Sequence, residues 1–129
     1  MALTFPKKEK LRNKRIIERL FKEGHAVSVY PVKLVYLRIV SPTDVKIQTA
    51  VTVPKRNFKS AVKRNRIKRL MRECYRRNKQ HIFNNMEGNF AFLFLYLGKE
   101  MPAYAVVEKS MLQIFQKLLK KESNAKVAE

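Results

Sequence analysis

The residues able to run acid–base or metal chemistry are few in this chain, and their spacing keeps them apart. Asp44 is the single aspartate, and none of the nine glutamates sits two to four residues from another carboxylate. A protein that hydrolyses a phosphodiester usually needs paired carboxylates on magnesium or a histidine acid–base pair. His25 and His81 lie in different segments with no Cys, Asp or Glu at metal-ligand spacing, so both read as solvent-facing. Cys74, the single cysteine, falls on the apolar face of a helical pattern and reads as a small core residue rather than a nucleophile. Gly24, Gly88 and Gly98 are isolated, so no glycine-rich phosphate loop is present. These residues supply no catalytic set, no metal site and no cofactor motif.

The chemistry that the chain does hold is phosphate binding. From Lys63 to Arg72, dense positive charge overlies a helical apolar pattern. At about 100° per residue, Ile67, Leu70, Met71 and Cys74 fall on one side of a helix. Asn65, Lys68, Arg69, Arg72 and Arg76 fall on the other. An ordinary solvated face mixes charge signs, often as Glu–Lys pairs one turn apart. Here Glu73 alone opposes the cations. Adjacent arginines on one helix repel unless a polyanion lies against them. Asn65 adds an amide that both donates and accepts, suited to a sugar, a base edge or a neighbouring arginine.

The whole composition points the same way. The 129 residues carry 29 Lys/Arg against 10 Asp/Glu, a formal net charge of +19. Twelve of those cations lie in residues 55–79 and eight in residues 7–23. Nucleic acid is the expected partner, because neutralised phosphates release counterions. An anionic membrane fits less well, since the chain has no Trp and no lipidation motif. The N-terminus runs from Pro6 straight into Lys7 and Lys8 without an apolar signal region. The longest apolar run, Phe90 to Leu97, is too short to span a bilayer. One cysteine allows no intrachain disulfide, so a reducing, cytoplasmic location is expected.

The elements that must position this helix can be read from periodicity and punctuation. Residues 1–10 read as an extended basic arm. Residues 12–23 read as a helix carrying Ile16, Ile17, Leu20 and Phe21, stopped at Gly24. A short strand is expected near Ala26 to Val29. Residues 32–40 are β-branched and aromatic and read as a strand. Ser41 to Asp44 is a turn, and residues 45–53 alternate cleanly, so they read as a strand running antiparallel to the previous one through a short loop. Pro54 ends it. Lys55 to Lys59 form a basic loop, and the cationic helix runs from about Ser60 to about His81. Asn84-Asn85 and Gly88-Asn89 mark a loop. Phe90 to Leu97 is apolar on both sides, which suits a central strand. Its Phe90, Phe92, Phe94 and Tyr96 read as core rather than as a base-stacking platform, because no Lys or Arg interrupts them. Residues 104–120 form the last helix, with Val107, Met111, Ile114, Phe115 and Leu118 on its buried stripe. Ser123 to Glu129 read as a frayed tail. The expectation is one α+β domain over residues 1–122, a four-stranded sheet packed with helices in the order α-β-β-β-α-β-α.

The run Arg64-Asn65-Arg66-Ile67-Lys68-Arg69-Leu70, preceded by Ala61-Val62, resembles the signature of the bacterial ribonuclease P protein subunit. Val51 to Arg56 look like that family's strand leading into its basic loop. Leu11 to Gly24, with Phe21-Lys22-x-Gly24, look like its first helix. The resemblance covers residues 5–120. It implies an auxiliary subunit of a ribonucleoprotein endonuclease, a hydrolase whose chemistry is carried by a large catalytic RNA. That RNA uses magnesium to remove the 5′ leader of precursor tRNA, while the protein alone binds no cofactor. The implied fold is ribosomal-protein-like, with a left-handed β-α-β crossover through the basic helix. Carried over by position, Arg64, Asn65, Arg66, Lys68, Arg69, Arg72 and Arg76 face RNA, and Lys55, Arg56, Lys59 and Lys63 extend that surface. A cleft between the helix and the sheet is expected to hold the leader, with Ile17, Phe21 and Tyr36 on its walls.

Three other readings compete. A structural, ribosomal-type RNA-binding protein would share the basic helix but have no effect on tRNA processing. A helix-turn-helix DNA binder would need a short helix before the basic one, where a strand ending at Pro54 stands instead. A stand-alone protein nuclease would need the missing carboxylate cluster. The expected partners are therefore the catalytic RNA and precursor tRNA, without DNA or membrane.

Overall fold

A computed structural model describes residues 9–40, 46–86 and 88–128. The element order is α1 (Lys14–Glu23), β1 (His25–Val29), β2 (Val32–Ile39), β3 (Ile47–Thr52), α2 (Ala61–Asn85), β4 (Asn89–Tyr96) and α3 (Tyr104–Ala128). This is the expected α+β order. Residues 1–8 of the expected arm and the Ser41 to Asp44 turn lie outside the described residues.

Strand β4 is apolar on both faces because it is covered on both faces and both edges. The sheet order is β1-β2-β4-β3. One face of β4 presents Phe90, Phe92, Phe94 and Tyr96 to a core shared with Ile67, Met71 and Cys74 of α2 and Val107, Met111, Ile114 and Phe115 of α3. The aromatic side chains form a run of tilted and edge-on contacts. Ring centroids are 6.2 Å apart for Phe90–Phe92, 6.1 Å for Phe92–Phe94 and 6.0 Å for Phe94–Phe115. Burying a side chain of this size contributes roughly 1.5–3 kcal/mol, so this row supplies much of the driving force. The other face places Ala91 and Leu93 with Val35, Ile39, Leu11 and Leu20 under α1.

The expected pairing of β2 with β3 is corrected. The two strands do run in opposite directions, but β4 lies between them. It pairs antiparallel with β2, Leu34 opposite Phe94, and parallel with β3, Val51 opposite Phe94. A short loop does not make a hairpin when a doubly apolar strand competes for both inner edges. Helix α2 is thus the crossover between parallel strands β3 and β4, which fixes it across one face of the sheet.

Two boundaries also differ. Helix α2 continues past His81 to Asn85, because Ile82 (0% exposed) and Met86 (3%) extend its apolar stripe. Helix α3 runs to Ala128, so residues 123–128 are helical rather than frayed. No Gly or Pro interrupts that stretch, and Ala125, Lys126 and Ala128 are good helix formers. Helix α1 starts directly after its cap: the Asn13 side chain accepts from the amides of Arg15 and Ile16. At its other end Gly24 passes close to β2. A Cβ there would lie 2.6 Å from Val35 Cγ1, so only glycine lets α1 dock this closely. No helix among the described residues is long and apolar enough to cross a membrane.

Candidate nucleic-acid interface

The approach to α2 is built from the end of β3. Val53 is buried, and the chain turns over Lys55 and Arg56, with the Asn57 amide donating to the Pro54 carbonyl at 3.2 Å. Phe58, 6% exposed, packs its ring 6.0 Å from that of Tyr96 and pins the basic loop to the core. Ser60 then caps α2, its hydroxyl accepting from the Lys63 amide. Arg64 turns back instead of outward. Its guanidinium donates to the carbonyls of Phe58 at 2.7 Å and Lys59 at 3.0 Å, tying loop to helix.

Beyond Arg64 the helix sorts its residues as the wheel requires. Ile67, Met71, Cys74 and Tyr75 are all 0% exposed. Asn65, Arg66, Arg69 and Arg72 are exposed on the opposite side, while Lys68 is half-buried. Lys55, Arg56, Lys59 and Lys63 are exposed at the foot of the helix. Arg76 stands apart from this row. Its guanidinium donates to both carboxylate oxygens of Glu73, at 2.5 and 3.1 Å, and Arg77 reaches the same carboxylate at 3.3 Å. The hydrogen bond from Arg76 holds the Glu73 carboxyl below its usual range, with the charges of Arg76 and Arg77 acting the same way. Arg76 is thus half-committed to its own helix, and Arg66, Arg69 and Arg72 form the open part of the surface.

Cys74 faces inward, as its apolar position implies. Burial, and to a lesser degree the charge of Glu108, pushes its thiol up to about 12. A thiol in that state is neutral throughout the physiological range and a poor nucleophile. Iodoacetamide should therefore leave the folded protein unmodified at pH 8 and label Cys74 only in denaturant, as mass spectrometry would show. Labelling of the native chain at the denatured rate would place the thiol at the surface. Among the described residues, no three His, Cys, Asp or Glu side chains gather where a metal could bind.

A groove of about 320 Å³ opens beside β3, lined by Lys10, Leu11, Arg12, Thr49, Ala50, Val51 and Arg72. Its floor is a strand edge and its walls are cationic, the combination that holds a single-stranded polyanion. Leu11 and Ala50 belong to the same apolar cluster as Ile16 and Ile17 of α1, which connects the groove to that helix. Phe21 follows Ile17 by one helical turn and is 64% exposed, a large ring left open beside the cluster.

Tyr36 does not join them. It is 4% exposed and lies in the core shared with α2 and α3, on the sheet face opposite α1. Burial, with a smaller contribution from Glu122, raises its phenol above the usual range. The β2 residues that turn toward α1 are its neighbours Val35, which is buried, and Leu37, which is half-buried. The expected grouping of Ile17, Phe21 and Tyr36 on one wall is corrected accordingly. Each alternation of Val32 to Ile39 holds three apolar or aromatic residues and one cation, Arg38 in one and Lys33 in the other, so the sequence carried no signal for which set faces which way.

A family model described as Ribonuclease P matches residues 5–119. The chain belongs to the ribonuclease P protein family. Among relatives named ribonuclease P protein component, the one from Porphyromonas gingivalis (strain W83) is 39% identical over 110 residues, covering 81% of this chain and 79% of that protein. The one from Chlorobium phaeobacteroides is 34% identical over 127 residues, covering 87% of this chain and 86% of that protein. The solved RNase P protein from Thermotoga maritima superposes with a TM-score of 0.67 at 23% identity, covering 84% of this chain and 96% of that one. The Staphylococcus aureus RNase P protein gives a TM-score of 0.65 at 15% identity, covering 85% and 94%. At those identities the superpositions show a shared fold. Within this ribonuclease P family fold, Lys10 and Arg12 are site-lining cations that sequence reasoning left out. Lys10 reads as the end of an extended arm and Arg12 as the start of a helix, and only the pairing of this segment with β3 brings both to the groove.

Proposed function

We propose that this chain is the protein subunit of a ribonuclease P holoenzyme. In this reading it binds a catalytic RNA through the outward face of α2 and holds the 5′ leader of precursor tRNA in the groove beside β3. The observation that carries the reading is the pair of cationic surfaces on one rigid crossover unit. Arg66 and Arg69 face solvent along α2, while Arg72 reaches the groove at the edge of β3. Arginine forks suit phosphate oxygens, and an exposed ring such as Phe21 suits an unpaired base. Hydrolysis of the leader phosphodiester is assigned to the RNA and its magnesium ions. The protein side chains bind, orient and neutralise charge there, and none is required to move a proton. A reducing cytoplasmic setting goes with this role and with a buried, unpaired Cys74.

Reconstitution tests it. The protein, its cognate ribonuclease P RNA and a precursor tRNA are mixed at physiological magnesium, and leader release is followed. The expected result is faster cleavage than with RNA alone, and tighter binding of precursor than of mature tRNA by the holoenzyme. No gain over RNA alone would sink the proposal. Equal affinities for the two tRNAs would remove the leader groove while leaving RNA docking intact.

A further inference from the structure

We propose that Glu9 and Lys79 form a latch that registers the N-terminal basic segment along β3, so that Lys10 and Arg12 face Arg72 across the groove. This rests on the reading of the groove as a seat for single-stranded RNA, and it adds the device that holds its second wall.

Acidic residues are scarce in a chain of net charge +19, yet Glu9 is only 8% exposed and Lys79 only 6%. The Lys79 ammonium donates to both carboxylate oxygens of Glu9, at 2.9 and 3.1 Å. The Arg19–Glu23 and Arg38–Glu122 pairs, by contrast, keep much of their surface in water. Removing both charges from water costs nearly as much as their attraction returns, so a buried pair contributes little net stability. Its attested use is to fix register.

The register here is explicit. Just after Glu9, Lys10 bridges to Thr49 in parallel fashion, and the Leu11 amide donates to the Thr49 carbonyl at 2.9 Å. Leu11 is buried beneath α1. Lys79 follows Arg72 by two helical turns, so both lie on one stripe of α2. Tyr75 lies between them on that stripe, fully buried. Burial holds its phenol well above the usual range, and the Glu9 carboxylate adds to the shift. The carboxylate therefore docks on the stripe that also carries Arg72. The segment then runs along the strand edge and lines the groove with Lys10 and Arg12. Without the latch, the two cations would lose their fixed position opposite Arg72.

The test exploits a difference of sign. Glu9→Gln removes a negative charge, so general electrostatics makes the full chain bind a polyanion more tightly. The latch makes it bind more weakly. With a uridine oligomer of roughly ten nucleotides as the probe, Glu9→Gln should lower affinity about tenfold. The slope of log K against log salt should become shallower by about 1.4, as two single-strand phosphate contacts are lost. The Leu11 amide should lose protection from hydrogen exchange while β4 amides keep theirs. Glu9→Lys combined with Lys79→Glu leaves net charge unchanged and should restore most of the affinity. If Glu9→Gln does not fold, this reversed pair carries the test, and lost affinity in a folded reversed chain overturns the latch. Undiminished binding by Glu9→Gln with Leu11 still protected overturns it too, while Arg72→Ala still weakens the oligomer. If Arg72→Ala has no effect, the groove reading fails and the latch falls with it.

Discussion

Replacing Arg66 and Arg69 together with alanine is expected to weaken binding of the ribonuclease P RNA by at least about tenfold per arginine, and to stabilise the free protein slightly. The two effects have opposite signs for one reason. On α2 these side chains are exposed and lie within one turn of each other, and Arg69 lies within one turn of Arg72. Like charges at that spacing cost about 0.2–0.5 kcal/mol per pair in a free helix. Against RNA, each arginine offers charge-assisted hydrogen bonds worth about 1.5–3 kcal/mol. Binding measured over a salt series should show a slope shallower by about 1.4–1.8, since each lost phosphate contact removes about 0.7–0.9. Thermal melting of the free protein should be unchanged or slightly raised. An unaltered salt slope would place both residues outside the RNA contact.

The largest effect on stability is expected at Phe94. It is 0% exposed, and its ring centroid lies 5.9 Å from Tyr75, 6.1 Å from Phe92 and 6.0 Å from Phe115. Phe94→Ala leaves a cavity where three rings meet and should cost about 3–5 kcal/mol. Domains of this size hold only about 5–15 kcal/mol in all, so the melting temperature should fall by roughly 10–30 °C. RNA affinity, corrected for the folded fraction, should not change. A direct loss of affinity with intact stability would mean that the aromatic strand stacks bases, the role its buried position argues against.

Much of the fold was legible because its strongest signals are periodic. Ile67, Met71 and Cys74 return every three or four residues, and all are 0% exposed. Alternation places Ile47 and Thr49 of β3 inside, as expected, and Val53 just past its end. The double-sided apolar character of β4 announced a central strand. Pairing was less legible, since periodicity says which face of a strand is buried and nothing about its neighbour. Tyr36 shows the limit most clearly. A strand equally apolar in both alternations can be turned over without changing its composition, and only the docking of α1 against Val35 and Leu37 decides the matter. Lys10 and Arg12 were hidden for a different reason. Their position depends on a strand edge and an ion pair distant in sequence, and local pattern cannot encode either.

The strand order also has a consequence for how the molecule is made. The sheet closes around β4, which emerges from synthesis after every other strand. Until then β2 and β3 each keep an open inner edge and bare apolar faces. Open edges invite mispairing between chains, and slow non-local closure prolongs the exposure. The strand made last is thus the one that seals the edges of the strands made before it.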